Sequence, residues 1–197
     1  MTKFSAVNLT LAGAICMSFV GLLIRLIESA DGFQILFYRS IGMSLVILTL
    51  VCVRRNKSPF RVLKSLDRND FFMGICFSLA FLTYVFSMLN TSIASTLFLL
   101  SMSPIFAGCI GWFWINEKPH KVVWISMLIA VIGISIMIND GLADSKSFGN
   151  ILAIFSAIFF ALGLVQARKS KKTDVLGGTF LGALFSCFFG LLITVLL

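Results

Sequence analysis

Residues 91–119 have the sequence TSIASTLFLLSMSPIFAGCIGWFWINEKP. No charged side chain occurs between Ser92 and Ile115, and this run is longer than the roughly 20 apolar residues that a helix needs to cross a bilayer. Because lipid offers the backbone no hydrogen bonds, such a run predicts a membrane-spanning α-helix. Pro104, in the middle of the run, has no N–H to donate to the carbonyl of Leu100, so we expect a kink there.

The composition of the whole chain agrees with this local signal. Of the 197 residues, 59% are hydrophobic and 12% are charged, and the mean hydropathy is +1.03. Soluble domains are about 45–50% apolar and about 25% charged. The composition therefore excludes a soluble enzyme and a nucleic-acid-binding module, and it predicts that the lipid bilayer is the main partner.

Six further apolar runs are long enough to cross the membrane, which makes seven predicted spans. In chain order the seven runs are 5–27, 33–53, 71–89, 92–115, 122–138, 148–167 and 175–197. None shows the polar and apolar alternation that is typical of barrel strands. The sequence therefore predicts an all-α, polytopic integral membrane protein built as a helical bundle with seven transmembrane helices.

The basic residues between the spans are distributed unequally between the two sides of the membrane. Lys146 is on the side that also carries Glu28, Asp31, Asp140 and Asp144. The other side carries Lys3, Arg54, Arg55, Lys57, Arg61, Lys64, Arg68, Lys118, Lys121, Arg168, Lys169, Lys171 and Lys172. Because basic loops stay in the cytoplasm, this pattern predicts a cytoplasmic N-terminus, and we expect the protein in the bacterial inner membrane. The net charge of +8 then needs no nucleic-acid partner.

The sequence holds no motif for metal binding or catalysis. The five cysteines lie singly in apolar runs, and His120 is the single histidine. Metal-ligand spacings, nucleophile motifs and phosphate-binding loops are absent. We therefore expect no metal, no cofactor and no enzymatic activity.

Polar side chains inside the spans are the candidates for substrate binding. The third and fourth spans supply Tyr84, Ser95, Ser101 and Pro104, and the second supplies Arg39, while Ser18, Ser156 and Gln166 are further candidates from the first and sixth spans. Intramembrane charges are costly and often functional. Two of these candidates also have a structural interpretation: the kink at Pro104 is held by packing, and Arg39 reaches the outer interface beside Glu28 or Asp31.

An offset of 142 residues lays the sixth span on the first, so that Asn8 aligns with Asn150 and Gly21 with Gly163. A five-helix unit repeated once is necessarily inverted in the membrane, a common construction in secondary transporters. This alignment predicts a first repeat over residues 5–138 and the start of a second, inverted repeat over residues 148–197.

The chain resembles the EamA-type repeat of the drug/metabolite transporter superfamily. The resemblance rests on Arg39 and Tyr84, on residues 91–119 with Ala94, Ser95, Pro104 and Glu117, and on ISMLIAVIGISIMI at residues 125–138, which includes Gly133. It implies ten helices in two inverted repeats around a central cavity lined by the first, third, fourth and sixth spans and by two later helices. Since seven spans are present, we expect the chain to be a fragment of a longer protein.

The resemblance implies a secondary transporter that exports a small organic metabolite, such as an amino acid or a related compound, by alternating access. The alternative is a non-transporting structural or regulatory membrane subunit, or a truncated transporter remnant. The stripes of small residues in the spans suit packing within one chain or between the two chains of a homodimer.

The predicted orientation is testable by labelling single cysteines in a variant without the five native ones. In intact cells we expect a membrane-impermeant maleimide to label Ser145→Cys, because residue 145 lies in an external loop. Ser58→Cys, in the basic linker, should react only after lysis. The opposite pattern would show that the N-terminus is external.

Overall fold

The structure is a computed structural model and describes residues 3–27, 31–55, 66–116, 118, 121–141, 147–170 and 175–196. Every regular element in these ranges is an α-helix. The helices are α1 (Lys3–Leu26), α2 (Gly32–Arg55), α3 (Arg68–Asn90), α4 (Ile93–Leu100), α5 (Ser103–Ile115), α6 (Lys121–Gly141), α7 (Ser147–Lys169) and α8 (Leu176–Leu196). The fourth predicted span corresponds to α4 and α5 together, and each other span corresponds to one helix.

Five helical stretches among the described residues are long and apolar enough to cross a membrane. They are Gly32–Val53, Arg68–Asn90, Ile93–Ile115, Ser147–Lys169 and Leu176–Thr194. Shorter apolar stretches lie in α1 (Leu11–Ile24) and α6 (Val122–Gly133). The prediction of an all-α polytopic membrane protein is confirmed, whereas seven transmembrane helices and the inverted repeat stay predictions.

The chain divides into two compact units, Met1–Asp31 and Gly32–Leu197. The first unit contains α1, and the second contains α2 to α8. In the second unit α3 packs along both α7 and α8, α8 also packs along α2, and α4 and α5 pack on α7. Among the five long stretches α3 has the largest buried share, 61% of its apolar window. It is the central helix of this unit.

Glycines set how closely α8 approaches α3. A methyl group at Gly182 would lie 2.7 Å from Cβ of Phe77, and one at Gly74 would lie 2.6 Å from Cβ of Leu181. Carbon atoms in contact are normally about 3.5–4.0 Å apart, so the two helices approach this closely because both positions lack a side chain. Farther along α8, the hydroxyls of Ser186 and Ser78 lie 3.2 Å apart. The small residues of α8 therefore serve helix packing.

The fourth predicted span is divided by a tight turn. The N–H of Ser101 donates to the carbonyls of Leu97 and Phe98 at 3.0 and 3.1 Å, and the N–H of Met102 donates to Leu99 at 3.1 Å. Bonds to the third preceding residue wind the chain more tightly than an α-helix does. Pro104 then lies in the first turn of α5, where a missing N–H is tolerated. The kink expected at Pro104 therefore takes the form of a turn just before it.

The close approach of α3 and α8 predicts that Gly182→Leu destabilises the protein. The larger side chain would collide with Phe77, and overpacking of this kind typically costs about 1–3 kcal/mol. Gly42→Leu is the matched control, because a Cβ at Gly42 has no atom within 4 Å. Thermal unfolding in detergent should show a lower melting temperature for G182L and little change for G42L. Equal melting temperatures would contradict this packing.

Candidate functional site

The guanidinium of Arg39 lies over two aromatic rings of α3. Its Cζ is 5.2 Å from the ring centroid of Tyr84 and 5.3 Å from that of Phe81. Both distances fall within the range of cation–π attraction. Arg39 is about 10 Å along α2 from Gly32, at 1.5 Å per residue, so this group lies well inside a membrane span. We call Arg39, Phe81 and Tyr84 the Arg39 cluster.

The hydrogen-bond donors of this cluster are not used by the rest of the described chain. Among the described residues, neither the guanidinium of Arg39 nor the hydroxyl of Tyr84 has a hydrogen-bond acceptor, and Arg39 has no carboxylate within 4 Å. In the same part of the chain, Gln166 Oε1 is the one fully enclosed side-chain oxygen or nitrogen without a partner. The nitrogens of Arg39, a partly buried residue, and the oxygen of Tyr84, a residue that is 9% exposed, are therefore unpaired within the described part of the chain.

The aromatic rings offset some of the cost of placing a charge here. A charged side chain inside the hydrocarbon layer is costly, and this cost falls from about 2.5–3.5 kcal/mol at the bilayer centre towards the interface. A cation–π contact contributes about 0.5–2 kcal/mol, depending on desolvation. The rings also provide no lone pairs for the five N–H donors of the guanidinium. A ligand that supplies oxygen acceptors would complete the coordination of Arg39.

Ser156 lies at a similar depth on α7, but its hydroxyl is already bonded. It donates to the carbonyl of Ala80, next to Phe81, at 2.9 Å, and Ser156 is fully buried. This bond joins α7 to α3. In this conformation Ser156 holds the helices together and has no free hydrogen to offer a substrate.

The hydroxyls at the start of the fourth predicted span bond one another. Ser95 Oγ lies 2.6 Å from Ser92 Oγ, which also accepts from the N–H of Ser95 at 3.0 Å and so caps α4. Thr96 and Ser87 are fully buried, and their hydroxyls lie 2.9 Å apart. Ser87 follows Tyr84 by three residues, so the two lie on the same face of α3. This face makes a polar contact with α4 through Ser87 and Thr96.

Ser101 and Pro104 flank the turn between α4 and α5 and are exposed within the second unit. The hydroxyl of Ser101 donates to the carbonyl of Phe98 at 2.5 Å. It therefore does not satisfy the Leu100 carbonyl that Pro104 leaves without a donor. A discontinuous membrane helix is typical of substrate sites in transporters.

Gln166 lies far from the Arg39 cluster. Its Nε2 donates to Asn69 Oδ1, in the first turn of α3, at 3.1 Å. Asn69 and Tyr84 are separated by about 22 Å along α3, at 1.5 Å per residue. The structure thus brings Arg39 and Tyr84 together and places Gln166, on α7, beside the first turn of α3.

One predicted site residue, Ser18, has no described relation to this cluster, because it lies on α1, in the other unit. Glu117, which contributes to the family resemblance, falls outside the described residues. Among the residues that are described, no group of three or more histidine, cysteine, aspartate or glutamate side chains could hold a metal ion.

Sequence reasoning missed Phe81 and the role of Asn150. Phe81 precedes Tyr84 by three residues, and this spacing on a helix puts the two rings on one face, where an arginine of a neighbouring helix can contact both. Asn150 accepts a hydrogen bond of 2.9 Å from the hydroxyl of Thr91, at the corner between α3 and α4. Its alignment with Asn8 was the available signal.

Comparisons with known proteins agree with the fold. The model of the EamA-like transporter family matches residues 4–139. A protein of Latilactobacillus sakei subsp. sakei (strain 23K), named as a ribose uptake protein, RbsU, is 32% identical over 108 residues. The match covers 53% of this chain and 36% of that relative, so the chain spans well under two thirds of its length. No solved structure matches the chain significantly.

The family match extends over more than half of the chain and includes Arg39, Phe81, Tyr84 and the broken span. It also agrees with the apolar helices, which are those of an integral membrane protein. On this basis the chain belongs to the EamA-like transporter family.

Proposed function

We propose that the chain forms part of a secondary transporter that exports a small organic metabolite, such as an amino acid or a related compound, across the bacterial inner membrane. Membership of the EamA-like transporter family supports membrane transport. The observation that carries the proposal is the Arg39 cluster, in which the donors of Arg39 and Tyr84 lie inside a membrane span without an acceptor among the described residues. A site of this kind suits a small polar solute better than it suits helix packing.

The transport cycle would be alternating access between two inverted repeats, residues 5–138 and a second repeat that begins at residue 148. In such transporters the substrate site lies between the repeats near the bilayer midplane. The 142-residue offset supports this arrangement, because it aligns Asn150, near the start of α7, with Asn8, near the start of α1. Asn150 also accepts a hydrogen bond from Thr91.

The candidate residues would have different roles in this cycle. Arg39 and Tyr84 would bind the polar groups of the substrate, and the ring of Tyr84 would form an apolar wall. Ser101 and Pro104, at the broken helix, would line the cavity. The bonds of Ser156 to Ala80 and of Gln166 to Asn69 join α7 to α3 and would be exchanged as the repeats rock. Ser95 completes the proposed lining within the second unit, and Ser18 stays a candidate from the sequence.

The name of the Latilactobacillus relative adds a second kind of cargo to the test. That protein is named for the uptake of ribose, whereas our proposal is the export of an amino acid or a related compound. Proteoliposomes that contain the full-length protein should therefore be tested with labelled amino acids and with D-ribose, in both directions.

We expect the double variant Tyr84→Ala/Ser95→Ala to abolish flux of the transported compound. The variant removes the aromatic wall, one platform of Arg39 and the Ser95 hydroxyl. A loss of at least tenfold in the transport rate corresponds to about 1.4 kcal/mol or more of lost transition-state stabilisation. Initial rates in proteoliposomes, at matched protein content, give the measurement.

Tyr38→Ala is the matched control for the loss of a tyrosine. Tyr38 is 72% exposed, one residue from Arg39, and its ring does not contact the guanidinium. Flux should survive in this variant. Unchanged flux in Tyr84→Ala/Ser95→Ala would refute the site assignment. No flux of any compound by the full-length wild type would favour a non-transporting subunit or a transporter remnant.

A further inference from the structure

We propose that the substrate carries a carboxylate group and that the guanidinium of Arg39 binds it. This inference rests on the proposed function, because it specifies the chemistry of the compound that the same site recognises. It begins from the charge of Arg39, which lies about 10 Å along a membrane span from the start of α2.

The described part of the chain does not neutralise this charge. The nearest carboxylate in sequence is that of Asp31, eight residues before Arg39, which is about 12 Å along a helix, and Asp31 is exposed. The buried Asp70 lies 14 residues from Tyr84 on α3, about 21 Å away, and its carboxylate accepts from the N–H of Asp67 at the other end of that helix. Arg39 is thus a cation without a described counter-charge.

The two rings hold Arg39 in place and leave its hydrogen bonds unmade. An arginine presents five donors in a planar fork that matches the two oxygens of a carboxylate. Contacts with Phe81 and Tyr84 restrict the side chain before any ligand arrives, which lowers the entropy lost on binding. The nearby hydroxyl of Tyr84 has no acceptor among the described residues and can donate a further hydrogen bond to the same group.

Charge balance favours a carboxylate over a neutral polyol. A sugar hydroxyl can accept hydrogen bonds from Arg39, but the complex would keep an unbalanced cation in a low-dielectric region. A carboxylate supplies both the acceptors and the opposite charge, and such charge-assisted bidentate bonds are the strong ones. An amino acid meets this requirement through its α-carboxylate, whereas ribose does not.

The test compares ligand-induced thermal stabilisation of the full-length protein in phosphatidylcholine nanodiscs. The probes are the 20 amino acids, common keto acids and dicarboxylates, the carboxamides of each, and D-ribose. At a concentration about 100 times the dissociation constant, we expect at least one carboxylate to raise the melting temperature by about 5–10 °C. Its carboxamide should not do so, and Arg39→Gln should lose the shift.

Arg68→Gln is the matched control for the loss of one positive charge. Arg68 is exposed at the start of α3, so this variant should keep the stabilisation. Arg39→Gln without ligand provides a second measurement that does not depend on choosing the right compound. We expect its melting temperature to equal or exceed that of the wild type, because the substitution removes an unpaired charge.

Several results would overturn the inference. One is a fall of several degrees in Arg39→Gln without ligand, which would show that Arg39 pairs with a carboxylate of the protein. Others are equal shifts with a carboxylate and its carboxamide, a shift with D-ribose alone, or no shift with any probe. An Arg39-dependent shift that appears only when phosphatidylglycerol replaces phosphatidylcholine would assign the site to a lipid headgroup.

Failure of this inference and failure of the proposed function are distinguishable. Carboxylate binding that needs Arg39, in a protein that transports nothing, would support the carboxylate site and refute the transporter. Transport of D-ribose that survives Arg39→Gln would support the transporter and refute the carboxylate site.

Discussion

The close crossing of α3 and α8 positions the candidate site. Gly74 and Gly182 allow the two helices to approach until a single added methyl group would collide with the other helix. In lipid, apolar side chains gain little from leaving one hydrocarbon environment for another, so close packing of small residues is a main source of helix association. Because α2 packs along α8 and α8 packs along α3, this crossing also fixes α2 relative to α3 and brings Arg39 over Phe81 and Tyr84.

Hydrogen bonding separates structural polar groups from candidate ligands. A polar group in hydrocarbon must find a partner, and most hydroxyls of the described spans have one. Ser87 bonds Thr96, Ser156 bonds a carbonyl of α3, and Ser186 lies beside Ser78. Arg39 and Tyr84 differ from these residues because their donors have no acceptor among the described residues. This difference supports a ligand-binding role for the Arg39 cluster and a packing role for the buried serines and threonine.

Much of the fold could be predicted from particular stretches of sequence. The uncharged run from Ser92 to Ile115 predicts a span because its length matches the bilayer, and Pro104 predicts a break because it lacks an N–H. The small residues of α8 predict close packing. Part of the site could be predicted too, since Arg39 and Tyr84 are polar residues within apolar runs. The other candidates gave the same signal, although Ser156 and Gln166 are bonded to α3 and lie at different depths.

The sequence by itself determined that the chain is a helical membrane protein and which stretches form its helices. These properties follow from the local balance of apolar and charged residues, which decides where a segment can lie in lipid. Only the tertiary structure decided that Arg39 contacts Phe81 and Tyr84. It also decided that two residues of α7 bond to α3 at different places, Ser156 at Ala80 and Gln166 at the first turn. The physical reason is that these contacts depend on how each helix is rotated and shifted against its neighbours. Rotation and shift are set by close packing across residues distant in sequence, such as Gly74 and Gly182, and not by hydropathy.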